Sequence, residues 1–361
     1  MASTAEVQSH LNAAMDKMMS NGINHLEVKE KYIFPPHERP NMSEVSHSYT
    51  IPVIDLKNMD VTGPHRSNVV HEIRRACEKD GFFQIVNHGV PESAMKCMMN
   101  IAMEFFDMPV ENRACFFSED PKQAVRLFTS FNATKDKVLN WSDTLRHPCH
   151  PLEEFIDSWP TNPPEYREIA GMYAKEIRAL ILRLLALISE ALGLDPDYLN
   201  RTFGKHQQVM TINYYPPCPN PDLTFGVPPH SDKGGITVLM QGDVSGLQML
   251  KDGKWVAVDP TPNAFVVNVG DQLQVLSNGM FSSIEHRALT NSSAARISIA
   301  TFCEPAADAF IAPADSTVNE QHPALYRGYT FQEYISASRT RGSQGWKGKS
   351  VLDSFKTESG Q

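Results

Sequence analysis

No apolar run in the chain reaches the roughly eighteen residues that a membrane helix needs, so no span is expected. Positive charge is scarce as well. The 361 residues carry a formal net charge of −9 and no basic cluster, so neither nucleic acid nor an anionic membrane surface is an expected partner. The opening Met1-Ala2-Ser3-Thr4-Ala5-Glu6 lacks the charged and apolar regions of a secretory signal. None of the six cysteines (Cys77, Cys97, Cys115, Cys149, Cys218, Cys303) forms a Cys-x-x-Cys pair, which predicts reduced thiols in a cytoplasmic protein. Internal repeats and low-complexity segments are missing. So is a nucleophilic triad: Ser231 adjoins His230 in sequence only. What remains is 41% hydrophobic and 21% charged, the balance of a soluble globular monomer with a sizeable core, in one large domain or two smaller ones.

The chemistry concentrates between residues 213 and 304. Iron(II) that works with O2 is held on one face by two imidazoles and one carboxylate, with the other face open. His230 and Asp232 stand two apart, so an extended chain points both side chains the same way. His286 must arrive from another segment. A lone His-x-Asp means little, because 13 histidines in a chain of this length give roughly one such triplet by chance. The context decides. Arg296 follows His286 by ten residues, and Ser298 lies two further on the same strand face. A guanidinium grips a carboxylate with two parallel bonds, which an ammonium cannot do. Ser298 and Tyr215 add hydroxyl donors. These parts suit a dicarboxylate whose keto end chelates the metal.

The motifs are Asn213-Tyr214-Tyr215-Pro216 with Cys218-Pro219, His230-Ser231-Asp232, Gly246-Leu247-Gln248, Asn268-Val269-Gly270-Asp271, Leu276-Ser277-Asn278-Gly279, Glu285-His286-Arg287 and Arg296-Ile297-Ser298. Together they resemble the plant 2-oxoglutarate- and iron(II)-dependent dioxygenases, a soluble group that includes flavonoid oxidases and salicylate hydroxylases. The resemblance covers about residues 51–334. It implies that His230, Asp232 and His286 bind iron. It implies that Arg296, Ser298 and Tyr215 bind 2-oxoglutarate, with Asn213 nearby. O2 is the oxidant, ascorbate an activator, and succinate and CO2 the by-products of hydroxylation or desaturation. An iron(II) enzyme also suits a reducing compartment.

Along the chain, residues 5–19 read as a short amphipathic helix and 51–56 as an edge strand. Helices are expected over 67–79, 92–106 and 163–192, the last with Ile169, Met172, Tyr173, Ile177, Leu180, Leu184, Leu187 and Ile188 as its apolar stripe. A strand is expected over 81–86. His88 follows it at a turn and reads as a structural imidazole. Residues 113–162 have weak periodicity and look like a wall over a pocket. From 207 the period changes to two, with strands expected over 207–214, 236–241, 246–250, 254–259, 264–269, 272–276, 282–288 and 296–303. A final helix is expected over 330–341, then a polar, mobile tail. The fold expected is mainly β with α: a double-stranded β-helix (jelly-roll) core at 201–310, an N-terminal helical and strand region at 1–200, and a C-terminal helix and tail at 311–361.

Alternation along 296–304 puts Phe302 and Glu304 on the Arg296 face, beside the co-substrate. Phe131 matches a position that lies over the aromatic substrate in flavonoid oxidases, which also carry the Phe-x-Glu pair. Two rings and a carboxylate suit a flat phenolic molecule. The resemblance therefore points to a flavanone, with a salicylate or other phenolic or hormone hydroxylase as the alternative. A zinc hydrolase and a non-catalytic binding protein on the same barrel also stay open.

Overall fold

The computed structural model describes residues 27–41, 44–57, 59, 63–130, 137–342 and 350–358. The helix expected over 5–19 lies outside the described residues, and so does Phe131. In chain order the strands are β1 (Val53–Asp55), β2 (Phe82–Val86), β3 (Arg126–Thr129), β4 (Asp143–His150), β5 (Gln207–Tyr215), β6 (Val227–His230), β7 (Ile236–Gln241), β8 (Leu247–Lys251), β9 (Lys254–Ala257), β10 (Phe265–Val269), β11 (His286–Ala288) and β12 (Arg296–Glu304). Eight build a large sheet in the order β1-β2-β10-β7-β12-β5-β4-β3. Four more build a small sheet, β6-β11-β8-β9, and two further short strands, Phe310–Ile311 and Tyr329–Thr330, pair as a separate antiparallel ribbon. The pairing is antiparallel except between β1 and β2. This is the expected double-sheet jelly roll with flanking helices.

The two faces of the large sheet do different work. One face packs under helices α1 (Pro64–Lys79), α2 (Glu92–Asp107) and α3 (Tyr166–Ala191), through Leu145, Ile212, Val238, Val267 and Ile299. The other face looks at the small sheet. There Phe82, Leu239, Val266 and Ala300 meet Leu247, Met249 and Val256 in a second cluster. In α3 the buried stripe is Tyr173, Ile177, Leu180, Leu184, Leu187 and Ile188, whereas Met172 is 48% exposed and leaves the stripe. Gly193, at φ 74°, ends this helix; its N–H and that of Leu194 close on Glu190 and Ser189.

Three expectations fail. Residues Asp271–Leu276 form a short helix, not a strand. Every residue there but Gln274 is buried, so polarity carried no period to read. Within 113–162 the chain adds β3 and β4 to the large sheet, because β4 lies on β5 with both faces covered and so can bury polar residues. The described part of the tail is docked: Leu352 and Phe355 are buried, and the Phe355 ring lies 4.2 Å from that of Tyr329. Among the described residues no helix is long and apolar enough to cross a membrane.

Candidate active site

His230 ends β6 and His286 begins β11, and the two are direct cross-strand partners in the small sheet. Their rings sit 4.2 Å apart between centroids. Each Nδ1 lies 3.0 Å from a backbone carbonyl two residues back, Pro228 and Ile284 respectively. Nδ1–H therefore donates to the chain, which fixes the tautomer and puts the ring's lone pair on Nε2. Both Nε2 atoms converge on Asp232 Oδ1, at 3.7 and 3.6 Å. The three donor atoms lie within 4.8 Å of one another. Two imidazole nitrogens and a carboxylate oxygen on one side fit a first-row metal with open positions.

Electrostatics favour that state. Burial first, and the adjacent His286 imidazole second, push His230 down to about 4, so its ring is neutral near pH 7. Burial works against the charged form of Asp232, but the two imidazoles and two hydrogen bonds outweigh it and hold the carboxyl below its ordinary range. Those two bonds come from the large sheet. Thr237 Oγ1 donates to Asp232 Oδ2 at 2.6 Å, and Asn268 Nδ2 donates to the same oxygen at 2.7 Å. Thr237 and Asn268 are cross-strand partners on β7 and β10. The carboxylate is thus divided: Oδ2 is anchored, and Oδ1 is presented. The anchoring role of these residues was not read from sequence, although a lone polar residue inside Phe265-Val266-Val267-Asn268-Val269 is the kind of signal that could have found it.

The loop after Asp232 has no slack. A Cβ on Gly234 would meet the Cys303 carbonyl at 2.6 Å, and one on Gly235 would meet the Phe203 ring at 2.3 Å. The N–H groups of Asp271 and Gln272 bond the carbonyls of Asp232 and Gly234 at 2.8 and 3.1 Å. The short helix at Asp271–Leu276 therefore holds the metal loop from behind.

The second group lies on β12 and β5. Arg296 is paired with Tyr215, and Ser298 with Asn213, all on the inner face. Arg296 is 2% exposed. Its guanidinium is held by the Val244 carbonyl at 3.1 Å, Gln241 Oε1 at 3.3 Å and Ser298 Oγ at 3.4 Å, with the Tyr215 ring 5.0 Å away. No carboxylate of the described residues pairs with it. A buried cation with fixed edges and no counter-ion fits a site built for an anion brought by a ligand. Asn213 Oδ1 accepts from Thr144 Oγ1 at 3.0 Å. Gln241 is a further member that sequence reading missed.

The alternation along β12 is unbroken. Ile297, Ile299 and Cys303 enter the helix-side core, while Ala300 and Phe302 face inward. Phe302 is the cross-strand partner of Thr237, which places it beside the carboxylate anchor. Glu304 lies 3.7 Å from Arg146 of β4, a partner that sequence reading did not find. His88 is structural as expected: Nε2 lies 3.0 Å from the Asn263 carbonyl, and Nδ1 accepts from Val90 N at 3.2 Å.

Residues 206–305 match the sequence profile of the 2OG-Fe(II) oxygenase superfamily, and residues 51–165 match that described as non-haem dioxygenase in morphine synthesis N-terminal. Protein DMR6-LIKE OXYGENASE 2 of Arabidopsis thaliana is 50% identical over 91% of this chain and 94% of its own length. Flavanone 3-dioxygenase 2 of Oryza sativa subsp. japonica is 44% identical over 92% of this chain and 94% of its own. The crystal structure of JOX2 in complex with 2OG, Fe and JA superposes with a TM-score of 0.83 at 35% identity, covering 96% of this chain and 97% of that one. The chain belongs to the 2OG-Fe(II) oxygenase superfamily, with iron(II) as its metal and 2-oxoglutarate as its co-substrate.

Proposed function

We propose that His230, Asp232 and His286 hold the iron, that Arg296, Ser298 and Tyr215 grip the far carboxylate of 2-oxoglutarate with Asn213 nearby, and that the molecule oxidised is a flat phenolic compound, a flavanone first. The convergence of two Nε2 atoms and one anchored carboxylate oxygen is the observation that carries the metal assignment. Bound iron with 2-oxoglutarate and O2 supplies oxidising power by decarboxylating the keto acid to succinate and CO2. The chain's own task is orientation. Gln241, the Val244 carbonyl and Ser298 hold Arg296 ready for a two-pronged grip, and the inner apolar cluster keeps water away.

For the substrate, Phe302 offers a ring beside the metal loop, and Glu304 carries a charge steadied by Arg146, ready to accept a phenolic hydrogen bond. Phe131 is proposed as a second ring over the substrate. The 44% identity to a flavanone 3-dioxygenase supports the flavanone reading. A second reading, a phenolic acid such as salicylate, is favoured by the neighbouring arginines Arg126 and Arg146 on the same inner face. Residues 1–200, 201–310 and 311–361 work as one catalytic unit, and six free thiols suit a monomer in the cytoplasm. The deciding assay supplies iron(II), ascorbate and 2-oxoglutarate with a flavanone, salicylate or a gibberellin-type acid. Succinate and the substrate's mass change are measured together. A phenolic product with matching succinate is expected. Turnover of the gibberellin-type acid alone would overturn the phenolic reading.

A further inference from the structure

Arg126 on β3 and Arg146 on β4 are direct cross-strand partners. Their row continues through Thr211 and Ala300 to Leu239. The residues between them in sequence, Leu127 and Leu145, belong to the helix-side core, so both arginines occupy the inner face. Arg126 is 6% exposed. Among the described residues it has no hydrogen-bond or ion-pair partner, its Nε included. Its guanidinium lies over the Phe128 ring, 4.1 Å from the centroid. Arg146 is half-buried, and its one ion-pair partner among the described residues is Glu304 at 3.7 Å. Burial first, and Arg146's charge second, push Arg126 down to about 10 against a smaller opposing pull from Asp120.

Arg146 therefore has Glu304 beside it, whereas Arg126 has no ion-pair partner among the described residues and only a longer-range pull from Asp120. Burying a cation without a counter-charge is unfavourable, and like charges side by side add to the cost. A second anion relieves both. The co-substrate does not supply it, because Arg296 lies four residues along β12 from the Ala300 row, roughly 13 Å at strand spacing. We propose that Arg126 and Arg146 form a subsite for the carboxylate of the organic substrate, an aromatic acid whose ring extends from that pair toward Phe302. A guanidinium fork matches a carboxylate in plane, and Phe128 holds one fork flat. This rests on the reading that the site oxidises a phenolic molecule, and it favours the hydroxybenzoate class over a neutral flavanone.

The test is calorimetric, on the full chain loaded anaerobically with iron(II) and 2-oxoglutarate. The probes are salicylate, its neutral amide salicylamide, and a neutral flavanone. The wild type is expected to bind salicylate at least tenfold more tightly than salicylamide. Arg126→Gln and Arg146→Gln should each remove most of that preference, with salicylamide and 2-oxoglutarate affinities unchanged. Arg126→Lys, which keeps charge but loses the fork, should fall between. Equal or undetectable binding of acid and amide by the wild type overturns the subsite without recourse to any variant. Oxidation of salicylate without an acid preference sinks the subsite and leaves the phenolic reading standing. An acid preference that tracks the arginines, with no phenolic compound oxidised, does the reverse.

Discussion

Thr237→Val isolates one bond in the candidate metal centre. The exchange keeps branching and nearly keeps volume, and valine suits the middle of a buried strand. It deletes only the hydroxyl that donates to Asp232 Oδ2 at 2.6 Å. A hydrogen bond to a charged group contributes about 1.5–3 kcal/mol. Asn268 still holds the same oxygen at 2.7 Å, so the carboxylate swings less than if it were freed. The lower end of the range is therefore expected, about 1.5 kcal/mol, a little over tenfold in metal affinity. Thr237→Val with Asn268→Ala should reach about a hundredfold, since both donors to Oδ2 are then gone. The assay is anaerobic titration of metal-free protein with iron(II) at saturating 2-oxoglutarate, with thermal unfolding as a control for folding. Metal affinity within twofold of wild type in the double variant would refute the reasoning. It would mean that the metal alone positions Asp232, with nothing gained from the large sheet.

His230→Ala and His286→Ala should fold normally and form no succinate above background; wild-type turnover at low iron in either would remove that residue from the ligand set. Arg296→Lys should weaken 2-oxoglutarate by about 1.5–3 kcal/mol while iron still binds, read from paired titrations, because a point charge replaces a two-pronged grip. Acid stability should track buried imidazoles. Burial pushes His147 down to about 3 and His206 to about 4. The unfolded chain, with ordinary values near 6.5, then binds protons that the folded chain refuses, so stability is complete above about pH 6.5 and falls toward pH 4 by about 1.4 kcal/mol per unit for each imidazole. His147→Gln, which can keep a bond to Tyr166 Oη, should flatten the dependence of Tm on pH in that window; an unchanged slope counts against this cause.

What could be read in advance was what chemistry or periodicity demands. His230, Asp232, His286 and Arg296 were legible because few residue types can do their work. The inward face of β12 was legible because nine residues alternate without a bulge. The helix at Asp271–Leu276 was not, because a six-residue segment buried nearly all round offers no periodic contrast. β3 and β4 were hidden by inward Arg126 and Arg146 and by Pro148, which look like loop residues until β5 covers one side. The pairing of Arg146 with Glu304 depends on strands far apart in sequence. No local pattern encodes such a contact. Met172 misled for the opposite reason: it satisfies the helical period, yet it is 48% exposed.

His230 and His286 belong to the small sheet, Arg296 and Ser298 to the large one, and Asp232 is joined to the first by its chain and to the second by Thr237 and Asn268. The separation between metal and co-substrate grip is therefore a thickness. It is gauged by Leu239, Met249 and Val266, together with Phe82, whose ring meets that of His286 edge-on at 5.3 Å. Shaving one of them, as in Met249→Ala, changes that thickness while every ligand stays in place. The keto acid would still be consumed, but less of its oxidising power would reach the substrate. The yield of oxidised product per succinate then serves as a caliper for the interior, read in a test tube.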